Sequence, residues 1–233
     1  MSYMNWISDS LEFTKECLIG KWVKWIMLAI IPILLPGYLV KVYKGESAST
    51  GLDPVEDVFI NTIKLFLIGL AYLLIPLILL FIFALSGGLL GAVAGSTGSP
   101  DAVIGTLLGA GLLGLLVFCI ILLILMLILP IAVIRFSRTD SMREALNFSA
   151  IFGHMSKIGW IRYIIALIIL FLVLVLATAV VMVIFGIISF ILAITIIGII
   201  LLPVVYLAYL AFFVALIIFV ARYYTLIYDS AAA

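Results

Sequence analysis

The sequence predicts an all-α, polytopic integral membrane protein: a helical bundle of four long transmembrane helices with smaller membrane-associated helices. Hydrophobic residues make up 68% of the 233 residues and charged residues only 10%, whereas soluble domains are roughly 45–50% apolar and about 25% charged. The apolar residues form three long uncharged runs, of thirty-six residues after Lys64, thirty-three after Asp101 and fifty-nine after Arg162. These runs lack the alternation of a membrane barrel, so helices are the expected form.

The lengths of the runs set the number of crossings. A helix needs about 20 apolar residues to cross the hydrocarbon core, so the runs hold one, one and two spanning helices. We expect a single membrane domain over 1–233, with crossings at about 62–95, 102–135, 161–187 and 192–224.

A stretch that contains prolines, residues 22–42, precedes these crossings. Pro32 and Pro36 would break a helix, and the sixteen uncharged residues between Lys24 and Lys41 would span only about 24 Å of a core about 30 Å thick. We expect a re-entrant hairpin here. A short, kinked fifth crossing is the alternative.

The distribution of basic residues predicts the orientation. If residues 22–42 enter and return, every Lys and Arg falls on one face of the membrane, as the positive-inside rule favours. The connections at about 96–101 and 187–203 then lie on the other face, and neither carries a Lys or Arg. We therefore expect a cell-membrane protein whose termini and basic loops are cytoplasmic.

Two segments between the apolar runs are predicted to be amphipathic interfacial helices. Residues 53–66 and 140–152 each place apolar side chains at helical spacing, with polar residues on the other face. Each starts with a capping-box pattern, Asp53 with Glu56 and Ser141 with Glu144.

Short matches between the two halves suggest an internal repeat. The stretch WVKWI at 22–26 resembles WIRYI at 160–164, and similar residues precede both. These matches relate residues 10–66 to residues 140–227. If the repeat is real, the re-entrant hairpin of the first half corresponds to a full two-helix hairpin in the second.

Aromatic and basic residues at the ends of the apolar segments are predicted interfacial anchors. We expect their basic members to attract the anionic headgroups of the lipid bilayer, at up to about 1 kcal/mol per Lys or Arg. The set comprises Trp22, Lys24, Trp25, Lys41, Arg135, Arg138, Trp160, Arg162 and Arg222.

Glycines recur every four residues in the first two crossings, at Gly87, Gly91 and Gly95 and at Gly105 and Gly109. Small residues at this spacing let helices approach closely in lipid. We expect them to pack the two crossings against each other. A self-association face or a flexible gate is the alternative.

No residue pattern points to catalysis, a cofactor or a metal. The sequence has no pairing of a nucleophile with a base and no phosphate-binding loop, and His154 is its only histidine. The net charge of +1 gives no basis for nucleic-acid binding. We therefore expect a non-enzyme.

Two hypotheses for function remain. The first is a structural or accessory membrane component, as a homo-oligomer or a complex subunit. The second is a channel or carrier for a neutral or lipidic solute, since internal repeats and broken half-membrane helices occur in transporters.

Four blocks together carry a family resemblance: LPGYLVKVYKGE, DPVEDVFINTIKLFLIGLAYLLIP, LPIAVIRFSRTDSMREALNF and YLAYLAFFVALIIFVARYY. In order and spacing they resemble an uncharacterised prokaryotic membrane family, the domain of unknown function 4013, which is abundant in archaea. The resemblance covers about residues 10–227. It implies a multi-pass membrane protein, and it brings no activity, cofactor or catalytic residue with it.

Overall fold

A computed structural model describes residues 3–96 and 100–231, and these residues form helices and connections without strands. The all-α prediction is therefore confirmed for this part of the chain. The helices are α1 (Tyr3–Leu18), α2 (Trp22–Ile30), α3 (Leu34–Lys44), α4 (Val55–Ser96), α5 (Pro100–Thr139), α6 (Met142–Ala145), α7 (Phe148–Ile158), α8 (Trp160–Ala193) and α9 (Ile196–Asp229).

Four of the helices, α4, α5, α8 and α9, are long and apolar enough to cross a membrane. Their number agrees with the prediction, but each extends beyond the predicted bounds at one end or both. The largest difference is at α4, which begins at Val55 because the predicted amphipathic segment continues into the crossing without a break. The turn between α8 and α9 lies at residues 194–195.

The proline-containing stretch forms two short helices, α2 and α3, separated at residues 31–33. Pro32 lies in this break. Pro36 is the third residue of α3, where its missing N–H has no intrahelical partner to lose. Pro36 therefore belongs to the first turn of the second helix. Whether the pair re-enters or spans stays a prediction.

The predicted helix over residues 140–152 is divided into α6 and the start of α7. The side chain of Asn147 accepts a hydrogen bond from the backbone N–H of Ala150 and caps α7. The carboxylate of Glu144 pairs with Arg135, and Ser141 makes no side-chain cap bond. A side-chain helix cap is present in this segment, but Asn147 supplies it. The predicted pair of Ser141 and Glu144 does not.

The chain divides into two compact units, Met1–Leu65 with Ile131–Ala233, and Phe66–Pro130. In the first unit, α1, α2, α3, α7 and α8 all pack against α9. Its apolar core includes Phe13, Leu28, Tyr38, Val214 and Ile218. The C-terminal half of α9 is therefore the central element of this unit.

The second unit is a hairpin of the apolar parts of α4 and α5. A Cβ added to Gly87, Gly91 or Gly95 would lie 2.8–3.4 Å from Ala110, Leu107 or Val103, and one added to Gly114 would lie 2.8 Å from Phe83. Each step along α4 is matched by a step of similar length back along α5. This register is that of two antiparallel helices in close contact.

The junctions before α2 and α8 share a feature that the proposed repeat would require. Gly20 has a φ of 80° and Gly159 a φ of 92°. Gly159 immediately precedes a helix that begins with tryptophan, and Gly20 lies two residues before another such helix. Glycine adopts this left-handed conformation without a steric penalty. The repeat itself stays a prediction.

Candidate functional site

The loop between α3 and α4, residues 45–54, is held by three lysines. Their ammonium groups donate hydrogen bonds to backbone carbonyls of the loop. The bonds run from Lys21 to Ala48 (2.9 Å), from Lys24 to Thr50 (3.2 Å), and from Lys41 to Gly51 (3.2 Å) and Asp53 (2.6 Å). Hydrogen bonds to charged groups stabilise a fold by about 1.5–3 kcal/mol each, so the loop is fixed to α2 and α3. We call residues 45–54 the clamped loop.

Lys24 also reaches into the core of the first unit. Its side chain is only 9% exposed, and its ammonium donates to the thiol sulfur of Cys17 at 3.4 Å and to the hydroxyl of Tyr38 at 3.1 Å. The sulfur and the hydroxyl lie 2.7 Å apart. With the carbonyl of Thr50, the ammonium has three acceptors for its three protons. The cluster therefore supplies a hydrogen-bond acceptor for each proton of the buried Lys24 ammonium.

A polar cleft of about 330 Å³ opens between α3, the clamped loop and the first turns of α4. We call this the polar cleft. Its lining is rich in charges of both signs and has few apolar side chains. The lining residues are Lys41, Lys44, Glu46, Thr50, Asp53, Pro54, Asp57, Ile60, Asn61, Lys64 and Asp140.

Asp140 lines the polar cleft and has an unusual backbone conformation. Its φ of 51° lies in the left-handed region, which aspartate tolerates better than most residues. Its carboxylate accepts a hydrogen bond of 2.9 Å from the ammonium of Lys64. This hydrogen bond lowers the pKa of the carboxyl group, assisted by the charges of Lys64 and Lys44.

Ion pairs connect helices of the first unit. They join the C-terminal end of α5 to the end of α9 and to α6, and they join α9 to α1. The pairs are Arg138 with Asp229 (2.9 Å), Arg222 with Asp9 (2.8 Å), and Arg135 with Glu144. Arg138 also donates to the carbonyl of Tyr43 at the end of α3. Most of these side chains are partly exposed, and exposed ion pairs contribute little to the free energy of unfolding. We therefore expect these pairs mainly to orient the helices relative to one another.

The predicted headgroup contacts fall into two groups. Lys24 and Lys41, at 9% and 8% exposure, donate to groups of the protein, and Arg135, Arg138 and Arg222 are in the ion pairs above. Lipid contact would have to compete with these bonds.

The remaining predicted anchors are aromatic residues and one arginine. Trp22 and Trp160 are 60% and 42% exposed, as interfacial anchors would be. Trp25 donates its indole N–H to the carbonyl of Ala211 on α9. The guanidinium of Arg162 lies over the ring of Trp6 at 5.3 Å.

The two glycine stripes differ in what they contact. Gly87, Gly91 and Gly95 face α5 inside the hairpin, whereas a Cβ added to Gly105 or Gly109 would meet no described atom within 4 Å. The stripe on α4 therefore packs the hairpin. The pair on α5 lies on a face that the hairpin does not use.

An open groove of about 400 Å³ runs between α8 and α9. Its lining is mainly apolar, with hydroxyl groups from Ser189, Tyr206 and Tyr209. The groove is formed by the halves of α8 and α9 that adjoin their shared turn, where Phe185 and Tyr209 are in ring contact at 5.6 Å.

Sequence reasoning missed the roles of Cys17, Tyr38 and Asn61. None of the three was singled out from the sequence as a functional residue. One signal was present, since residues 47–52 contain no acidic residue although three lysines lie earlier in the chain, at positions 21, 24 and 41. Such lysines need acceptors other than carboxylates, and backbone carbonyls are the nearest.

Among the described residues, no three His, Cys, Asp or Glu side chains are close enough together to hold a metal ion. The charged and polar groups gather in the first unit, and four apolar helices are of spanning length. Together these features define a multi-pass integral membrane protein.

The chain belongs to the family described as Protein of unknown function (DUF4013), whose model matches residues 23–186. The resemblance inferred from the sequence blocks is thereby confirmed. No curated protein and no solved structure matches the chain.

Proposed function

We propose that this protein is a non-catalytic structural or accessory component of the cell membrane, which acts as a homo-oligomer or as a subunit of a complex. The observation that supports it is the glycine pair on α5. Gly105 and Gly109 are about one helical turn apart, and a Cβ added to either would meet nothing within 4 Å in the described part of the hairpin. Such a surface allows a second helix to approach closely in lipid, where apolar burial gives helices no reason to associate.

The first experiment compares the two glycine stripes. Gly105→Leu with Gly109→Leu should leave the thermal unfolding of the purified protein unchanged but reduce its assembly, measured as subunit number by single-molecule photobleaching in nanodiscs. Gly91→Leu is the matched comparison. Its side chain would collide with Leu107, 3.1 Å from the added Cβ, so it should lower thermal stability.

A wild-type protein that is a monomer in nanodiscs, and that co-purifies with no other membrane protein, would contradict the proposal. So would a double variant that assembles as the wild type does.

The groove between α8 and α9 supports a second candidate function, a channel or carrier for a neutral or lipidic solute. Three hydroxyl groups in an otherwise apolar groove could orient a weakly polar molecule within the bilayer. Gly186 lines the groove, and a Cβ added there meets no atom within 4 Å. Gly186→Leu should therefore fill the groove without displacing either helix.

Native mass spectrometry of the protein released from nanodiscs would test this candidate. Retention of a lipid or other neutral molecule by the wild type, and its loss in Gly186→Leu but not in Gly153→Leu, would favour the carrier. Gly153 is an exposed glycine of α7 with no atom near its added Cβ. Equal retention by all three proteins would dismiss the groove as a binding site.

A further inference from the structure

We propose that the polar cleft binds a small zwitterion with a primary ammonium and a phosphate group, an aminoalkyl phosphate, either free or as the headgroup of a lipid. The site is distinct from the glycine pair and from the groove between α8 and α9. It rests on three observations: an amide on the cleft wall that has no hydrogen-bond partner among the described residues, an ordered separation of charges, and a rigid wall.

The amide belongs to Asn61. Its side chain is 9% exposed and lines the polar cleft, and no hydrogen-bond partner for it exists among the described residues. The polar atoms of this amide are not among the fully buried ones that lack a partner, so they face the open space of the cleft, and side-chain amides normally have a hydrogen-bond partner. In the cleft, both the N–H groups and the oxygen of the amide are available to a ligand.

The charges along α4 have an order. Asp57, Asn61 and Lys64 lie on one face at steps of four and three residues, so that a carboxylate, an amide and an ammonium follow one another over about 10 Å. Glu46 and Asp53 add carboxylates to the lining, and Lys44 adds an ammonium. A ligand with both charges can match this arrangement, whereas a simple anion or cation would meet like charges.

The carboxylates are available for a cation. Glu46, Asp53 and Asp57 form no ion pair with the described residues, while Asp140 pairs with Lys64. A primary ammonium has three donors for such acceptors.

Lysines fit the other end of the ligand. Lys44 forms no ion pair with the described residues and lies close enough to Asp140 to lower the pKa of its carboxyl group. The ammonium groups of Lys44 and Lys64, with the N–H groups of Asn61, suit the several oxygens of a phosphate.

The wall of the cleft is held in place without a ligand. Lys41 fixes the carbonyls of Gly51 and Asp53, and the hydroxyl of Thr62 accepts from the N–H of Gly37 at 2.9 Å, which joins α3 to α4. The site is thus largely formed before binding, so little conformational entropy of the protein would be lost when the ligand enters.

The experiment uses the full chain in nanodiscs of phosphatidylglycerol and isothermal titration with three probes: aminoethyl phosphate, ethyl phosphate and ethylamine. Aminoethyl phosphate should bind at least about tenfold more tightly than either partial probe, since each loses one set of charge-assisted bonds. Asp57→Asn should weaken its binding about tenfold, and Asn61→Leu should also weaken it. Glu56→Gln is the matched control, because Glu56 is adjacent on α4 and does not line the cleft.

A second arm distinguishes the source of the ligand. Native mass spectrometry after reconstitution in a mixture of phosphatidylethanolamine and phosphatidylglycerol would show whether the wild type retains the first lipid and Asp57→Asn does not. Selective retention identifies a headgroup site, and titration without retention identifies a soluble ligand. Absence of both would overturn the proposal, as would equal binding of ethylamine or an equal loss in Glu56→Gln.

Discussion

At the scale of single residues, buried polar groups determine how the first unit is held together. His154 shows how the environment sets a charge state. It stacks on Tyr228 at 3.8 Å, and its Nε2 lies 3.0 Å from the carbonyl of that tyrosine, so Nε2 must carry the donated proton. Burial lowers the pKa of His154, and the charges of Arg135 and Lys157 act in the same direction. The bond to Tyr228 and the charge of Asp229 oppose this shift.

This lowered pKa predicts a pH dependence of stability. The unfolded chain binds the proton more tightly than the folded chain does, so the free energy of unfolding should fall as the pH drops through the ordinary histidine range, about 6.5. His154→Gln retains a donor and cannot titrate, so its stability should change less between pH 7.5 and 5.5. Thermal unfolding in detergent at the two pH values measures the difference. The same decrease in both proteins would show that His154 is not responsible.

Lys24 gives a second prediction at this scale. Lys24→Met should reduce the free energy of unfolding by about 1–3 kcal/mol, because the carbonyl of Thr50 loses its donor. It should also increase proteolysis within the clamped loop. Lys15→Met, at an exposed lysine of α1, is the control and should change neither quantity. Chemical unfolding and limited proteolysis followed by mass spectrometry report the two effects, and an intact loop in Lys24→Met would contradict the assigned role.

At the scale of elements, the contact between α3 and α4 depends on a glycine. A Cβ added to Gly37 would lie 1.7 Å from the carbonyl oxygen of Val58 and 2.7 Å from the hydroxyl of Thr62. Both positions are in the first unit, and the backbone of α4 cannot move aside as a flexible side chain can.

Gly37→Ala should therefore destabilise the protein by about 3 kcal/mol or more, at or above the usual range for overpacking. Gly153→Ala should instead be neutral or stabilising by up to about 1 kcal/mol, since alanine is the better helix former and the site is open. Melting temperatures of the two variants in the same detergent provide the comparison. A Gly37→Ala protein as stable as the wild type would mean that α3 and α4 are not in this close contact.

The elements themselves could largely be predicted from the sequence. Uncharged runs gave the number of long helices, because chain length and lipid leave few alternatives. The ends were harder, since helices extend past the hydrocarbon into water where no apolar pattern marks a boundary. At Leu146 the predicted helix is interrupted, because Asn147 caps the next helix and Glu144 pairs with Arg135.

At the scale of the whole molecule, the arrangement in the membrane is a prediction with a direct test. In a background with Cys119→Ser, a membrane-impermeant maleimide applied to intact cells should label Ser96→Cys at once. It should label Ser47→Cys only after permeabilisation, because the clamped loop is expected in the cytoplasm. Both serines are exposed, and the native Cys17 is buried. Labelling of both positions from the same side would contradict the predicted orientation.

The same assay addresses residues 22–42. If the pair α2 and α3 re-enters, Lys15→Cys and Ser47→Cys should respond identically. Opposite responses would establish a fifth crossing instead.

The candidate sites were less predictable than the helices. The polar cleft combines α3, the clamped loop, α4 and Asp140, and the last is separated from Lys64 by 76 residues. No local sequence pattern indicates that these residues lie close together in the fold. The lysines were recognised as basic residues at the edge of the membrane, but their carbonyl acceptors follow only from the fold.

The central position of α9 has a consequence for synthesis. Trp25 bonds to Ala211, 186 residues later, and Arg222 pairs with Asp9 across 213 residues. At about 5–20 amino acids per second, a ribosome needs roughly 10–40 s to cover that distance, so α1, α2 and α3 emerge long before the helix that shelters their apolar faces. During that interval lipid or a chaperone must cover the apolar faces of these three helices.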